Sequence, residues 1–130
     1  MANMSHTRVR IGNTEGEYLS PDPDFGTSQA VVAGDQIFLL GCTGLSLDGK
    51  GFVEEGDPAA QAENALRNVR VLLEEVGARM EDICLINNYT TERSYRAQVY
   101  PVIARHLDGV NPVSTGVIVK ALAEPYFNFQ

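Results

Sequence analysis

Asn87 and Asn88 interrupt an otherwise apolar run between Ile83 and Tyr89. A buried amide without partners costs about 1–3 kcal/mol, and strand alternation turns one of the two inward whichever face is covered. Either Asn88 or Tyr89 stands at the rim of a ligand cleft, or the amides hydrogen-bond across a contact between subunits. Ser114, Gly116, Ile118 and Lys120 share one strand face by the same alternation, with Thr115 on the other. Cys42 offers a thiol near glycines, but no histidine lies close in sequence to activate it, so it reads as structural. Cys84 is the second and last cysteine. The two thiols are expected to be reduced rather than paired. His6 and His106 are far apart, and there is no Cys-x-x-Cys, so no metal site is expected. Neither a GxxxxGK loop nor a GxGxxG turn is present, and no cofactor is indicated.

The elements that must hold these residues follow from hydrophobic period and turn chemistry. Thr7–Ile11 alternates as a half-buried strand, and residues 13–27, rich in Gly, Pro, Asp and Ser, read as a long loop. Gly34-Asp35 joins two apolar runs, 29–33 and 36–41, as a tight hairpin. A turn at Asp48-Gly49 follows, with an extra strand around it left open. The spacing of Ala62, Ala65, Leu66, Val69, Leu72, Leu73 and Val76 predicts a helix over 58–76, capped by Asp57 and closed by Gly77. A strand over 82–91 and a helix over 94–107 come next, the helix capped by Ser94 and kinked or broken at Pro101. A long strand over 113–122, a turn at Ala123-Glu124-Pro125 and the opening of a strand over 126–130 complete the order β-β-β-α-β-α-β-β. Tyr126, Phe127 and Phe129 pave a ligand pocket or pack as core. Two helices separated by strands imply an α+β domain with helices on one face of a mixed sheet. The other face needs a cover, and another subunit is the natural one.

Length and charge bound the function. The 130 residues suit one domain, 1–130. Hydrophobic residues make up 44% against 21% charged, a globular balance. Seventeen acidic against ten basic residues leave a net charge of −7, which argues against a nucleic-acid partner. No run approaches the roughly 18 apolar residues of a membrane span. The start, Met1 to Arg8, has no apolar stretch of the signal-peptide kind, so a cytoplasmic location is expected.

Five stretches, in order, resemble the YjgF/RidA family, also labelled endoribonuclease L-PSP. They are Gly26 to Asp35 with Ile37 to Gly41, Ala60 to Val69, Glu81-Asp82-Ile83, Asn111 to Val119, and Leu122 to Pro125. The resemblance covers roughly residues 20–130, with residues 1–19 as an N-terminal strand and loop. It implies a chorismate-mutase-like fold assembled as a homotrimer around a barrel of sheets, with small molecules bound in clefts between subunits. The activity it implies is hydrolysis of reactive enamines and imines to ketoacids and ammonia. The family's older label suggests a ribonuclease, against which the charge of −7 counts.

Several positions depart from the pattern of the catalytic branch. An arginine that holds the substrate carboxylate there corresponds to Ser114 here, and the cysteine two positions on corresponds to Gly116. The glutamate of the last strand corresponds to Gln130, and the tyrosine of the first loop to Thr27. Gly41 is retained, followed by Cys42 where glutamine is common. A serine cannot reproduce the bidentate fork of a guanidinium on a carboxylate. The resemblance therefore implies an intersubunit cleft lined by Ser114, Thr115, Gly116, Gln130, Thr27, Gly41, Cys42, Asn88 and Tyr89 that suits a neutral or hydroxylated ligand. No catalytic residue is assigned. Arg93 and Arg96 stand in for the missing arginine from another direction, or are solvated residues at a helix start. The competing reading is a non-catalytic binding or regulatory trimer, in which Ser-Thr-Gly is a strand packed on a neighbouring subunit.

Overall fold

Thr7–Val9 (β1), Ala30–Ala33 (β2) and Gln36–Leu39 (β3) form an antiparallel sheet in that order in the computed structural model, which describes residues 6–10 and 26–130. Ile11 and most of the loop expected over 13–27 lie outside the described residues. The β2–β3 turn is the expected two-residue one, Ala33 pairing with Gln36. Gly34 takes φ 63°, as the first central position of such a hairpin requires. In place of an extra strand, residues 42–53 hold one bridge between Leu45 and Phe52 around the turn at Gly49.

Helix α1 spans Pro58–Glu75. The Asp57 side chain accepts from the Ala60 amide at 2.9 Å, and Pro58 occupies a first-turn position where its missing donor costs nothing. At the other end Ala78 N–H donates to Leu73 O at 2.8 Å and Gly77 N–H to Glu74 O at 3.1 Å, the double closure that a left-handed glycine permits. On its buried side polar residues work as well as apolar ones. Asn64 donates to Thr43 O and Leu45 O, and Asn68 donates to Leu45 O, which pins the segment after β3 onto the helix.

Strand β4, Leu85–Thr90, pairs in parallel with β5, Val113–Ile118, and helix α2, Arg96–His106, connects them. The expected helix start differs. Arg93–Tyr95 forms a 3₁₀ turn first, so Tyr95 rather than Ser94 occupies the cap position, without a side-chain capping bond. Nor does Pro101 break α2, which runs uninterrupted. Proline frees the carbonyl four residues back, and Ala97 is exposed, so water can satisfy it. Strand β5 ends at Ile118, short of the expected 122, which leaves Lys120 beyond it. The last residues add a short antiparallel pairing on the far side of β4. Tyr89 and Gln130 exchange both backbone hydrogen bonds, at 2.8 and 2.9 Å, and Thr90 faces Phe129.

The strands thus form a three-stranded antiparallel ladder and a two-stranded parallel one, instead of one continuous sheet. Both turn one side to the helices. Leu73 of α1 and Leu107, just past α2, pack with Ile37 and Leu39 of β3 and Ile86 of β4. A second cluster joins Ala62 and Ala65 of α1, Val99 of α2 and Phe129. The opposite side is bare: Val113 is 68%, Leu85 57% and Phe38 56% exposed.

Glu63 ties the two helices together. It accepts from His106 Nε2 at 2.8 Å and from Arg105, and pairs with Arg67 at 3.1 Å. The His106 hydrogen bond first, then Arg105, lower its pKa from 4.5 to about 2, against an opposing push from desolvation. A carboxylate whose folded pKa lies below its unfolded value stabilises the fold above the unfolded pKa and loses that contribution as pH falls through the folded one. Melting temperature is therefore expected to fall more steeply between pH 4.5 and about 2 in the native protein than in Glu63→Gln. Parallel curves in a thermal-melt series would show that the cluster contributes nothing.

Candidate functional site

The β4–β5 register sorts the candidate residues onto two faces. Ile86 pairs with Ser114, Asn88 with Gly116 and Thr90 with Ile118, all directed to the helix side. Asn88 is 5% and Thr90 1% exposed there. Asn87 pairs with Thr115 and Tyr89 with Val117 on the bare side. Gln130 opposes Tyr89 as a hydrogen-bonded antiparallel pair, so its side chain shares that side. Gly41 belongs there too, because a Cβ on it would collide with the Gln130 side chain. Thr27 is exposed ahead of β2. Within one chain, Ser114, Gly116 and Asn88 therefore form one group, and Thr115, Tyr89, Gln130 and Gly41 another.

The helix-side group is the better furnished. A Cβ on Gly116 would collide with the Tyr100 hydroxyl and stand 3.1 Å from Asn88 Oδ1. Glycine at 116 is what lets the α2 tyrosine reach the strand. Ser114 lines a hollow of about 370 Å³ with Ile86, Ile103, Leu107, Asp108 and Asn111. A second, open hollow of about 500 Å³ lies at the start of α2, lined by Arg93, Ser94, Arg96, Ala97, Tyr100 and Pro101. The Arg96 guanidinium sits over the Tyr100 ring, 4.8 Å from its centroid. Beside β5 the Ser114 hydroxyl, the Asn111 amide and the Asp108 carboxylate stand among apolar Ile86, Ile103 and Leu107, with guanidinium groups at the helix start. Such groups bind and orient a ligand through hydrogen bonds.

Cys42 lies on the helix side but belongs to the core, packed against the cluster of Ala62, Ala65, Val99 and Phe129. Burial pushes its thiol pKa up to about 12, so it is protonated at neutral pH and a poor nucleophile. Cys84 is exposed, and both thiols are free. Iodoacetamide on the native protein is expected to label Cys84 alone. Peptide mass mapping that finds rapid labelling of Cys42 would overturn its assignment as structural. Among the described residues, no group of three or more His, Cys, Asp or Glu could hold a metal ion. No helix among them is long and apolar enough to cross a membrane.

Tyr100 did not stand out in the sequence. Its signal was the Arg96–Tyr100 spacing of four, which puts a cation and an aromatic ring on one helical face. Asp108, beside Ser114, carried no comparable signal.

Two helices laid over one side of a three-stranded antiparallel ladder and a two-stranded parallel one define an α+β scaffold. The chain belongs to the endoribonuclease L-PSP family, whose model matches residues 19–129. A RutC family protein of Pyrococcus abyssi is 26% identical over 103 residues, covering 79% of this chain and 80% of the relative. Among solved structures, a YjgF/YER057c/UK114 family member from Mycobacterium tuberculosis superimposes with a TM-score of 0.77 at 29% identity, covering 96% of this chain and 93% of that one. RidA from an Antarctic Psychrobacter superimposes at 0.73 with 26% identity, covering 84% and 86%.

Proposed function

We propose that this chain binds a small nitrogen-containing metabolite beside β5, where Ser114 supplies a hydroxyl in place of an arginine. The observation that carries this reading is the helix-side group, in which Asn88 and the Tyr100 hydroxyl meet at Gly116, two positions from Ser114. A water-mediated hydrolysis of the enamine or imine type, on a substrate not held by a carboxylate–arginine pair at 114, is the form of activity this surface supports. The second reading is a non-catalytic ligand-binding or regulatory assembly. It is favoured by Cys42, which burial keeps protonated, and by an amide at Gln130. In both readings the bare apolar side with Phe38, Leu85, Val113 and Val117 is covered by further copies of the chain, as the trimer implied by the family resemblance would do. The location proposed is cytoplasmic.

A thermal-shift screen of metabolites tests the shared claim. A stabilising ligand whose effect is lost in Ser114→Ala supports it, since a molecule that binds only the folded state raises its melting temperature by mass action. Stabilisation that survives Ser114→Ala unchanged places the ligand elsewhere and refutes it.

A further inference from the structure

We propose that Gly116 marks a carboxamide subsite, in which the Asn88 side chain and the Tyr100 hydroxyl hydrogen-bond the neutral amide end of a ligand that runs along β5 towards Ser114. The inference rests on the binding reading above and names the chemistry of the ligand's inner end. Asn88 is 5% exposed, yet among the described residues no group hydrogen-bonds its side-chain amide. Other amides of the interior are engaged: Gln61 and Asn68, both buried, and half-buried Asn64 all donate to backbone carbonyls. A buried amide without a partner is a cost to the fold, one that a bound hydrogen-bonding group removes. The Tyr100 hydroxyl likewise has no hydrogen-bond partner among the described residues. Both groups lie at Gly116, where Asn88 Oδ1 and Nδ2 stand 3.1 and 3.4 Å from the place a Cβ would take. Gly116 itself is exposed, so this point opens to solvent.

The donors and acceptors there choose the ligand's chemistry. An asparagine amide offers an acceptor oxygen and an NH2 donor in one plane, the complement of another carboxamide, with which it forms two parallel hydrogen bonds. The tyrosine hydroxyl adds a third, as donor or acceptor. A carboxylate meets the wrong surroundings. Arg96 engages the face of the Tyr100 ring rather than its hydroxyl. The hollow at Ser114 is lined by no lysine or arginine, its one charged side chain is Asp108, and the chain's net charge of −7 repels anions in general. An anion buried beside Asn88 is therefore unpaired, whereas a neutral amide keeps its hydrogen bonds. Gly116 and Ser114 are two residues apart on one strand face, about 6–7 Å. The rest of the ligand is accordingly short and partly apolar, resting on Ile86, Ile103 and Leu107, with a hydrogen-bonding group for Ser114.

NMR titration of the intact protein with isobutyramide and its isosteric anion isobutyrate tests this. Isobutyramide is expected to shift the Asn88 side-chain and Gly116 backbone amide signals, and to bind about tenfold or more tightly than isobutyrate. Tyr100→Phe should weaken it about three- to tenfold, the loss of one hydrogen bond, and Asn88→Val about tenfold or more. Stability separates a ligand group from a structural one. An amide that served the fold would lower the melting temperature when lost. Asn88→Val is expected instead to leave it unchanged or raised, because the amide has no protein partner and valine suits a strand. No shift at the two signals, equal affinity for the two probes, or unchanged affinity in either variant overturns the inference, as does a marked fall in melting temperature with Asn88→Val. The two readings fail separately. A metabolite from the thermal-shift screen whose effect is lost in Asn88→Val but kept in Ser114→Ala removes the Ser114 reading and leaves the subsite. One lost in Ser114→Ala but kept in Asn88→Val does the reverse.

Discussion

Replacing Gln61 by methionine is expected to cost about 3 kcal/mol of folding free energy, the upper end of the common range for point substitutions, because it breaks a hydrogen-bond network centred on a buried side chain. Gln61 is 0% exposed in the first turn of α1, and methionine keeps its bulk while removing its polar atoms. Its Nε2 donates to Glu54 O at 2.9 Å, Tyr126 O at 3.2 Å and Asn128 Oδ1 at 2.9 Å, while its Oε1 accepts from the Asn128 amide at 2.7 Å. Asn128 in turn accepts from Gly56 N at 3.1 Å. One side chain thus fastens the last residues and the segment before α1 to the helix. Removing it leaves the part-buried Glu54 and Tyr126 carbonyls and the Asn128 amide without this partner, at about 1–3 kcal/mol for each that water cannot reach. A domain of this size has about 5–15 kcal/mol in all. The same change at exposed Gln98 should stay within about 0.5 kcal/mol. Urea denaturation measures both, and a Gln61→Met loss below about 1 kcal/mol would show that the network does not hold the C-terminal segment.

That network also explains why parts of the site were hidden in the sequence. The α1 helix was legible because its signals are local: Asp57, Pro58, the apolar stripe and Gly77 lie within or beside it, and the structure uses them all. The start of α2 was not, since Ser94 looks like a cap and only the preceding 3₁₀ turn moves the helix to Arg96. Alternation showed that one of Asn87 and Asn88 must face inward, but which one depends on where the helices lie. Long-range pairing decides it, through Ile86 and Thr90 on the buried side. The contact of Gly41 with Gln130 likewise depends on the C-terminal residues pairing with β4, a register no local pattern announces. Positions that the family resemblance gathers into one cleft are therefore divided, within a chain, between two sides of the strands.

Hydrolysis of 2-aminoacrylate is expected to be weak or absent. The family resemblance implies an arginine that holds the substrate carboxylate where this chain has Ser114, and a glutamate that orients water where it has Gln130. A charged hydrogen-bonded pair in a partly desolvated cleft is worth about 1.5–3 kcal/mol, or about ten- to a hundredfold in affinity. An amide cannot take a proton from water as a carboxylate does, which lowers the rate further. Arg93 and Arg96 line a different hollow from Ser114 and so do not stand in its place. The central claim is that this chain keeps the family scaffold while its helix-side surface at Ser114 has lost the means to hold a carboxylate imine. Its most direct test is a steady-state assay in which 2-aminoacrylate is generated in place and its conversion to ketoacid is followed with and without the protein. The account predicts a rate at or little above spontaneous hydrolysis in solvent. Turnover in proportion to protein concentration at the level of an arginine-bearing family member would contradict it.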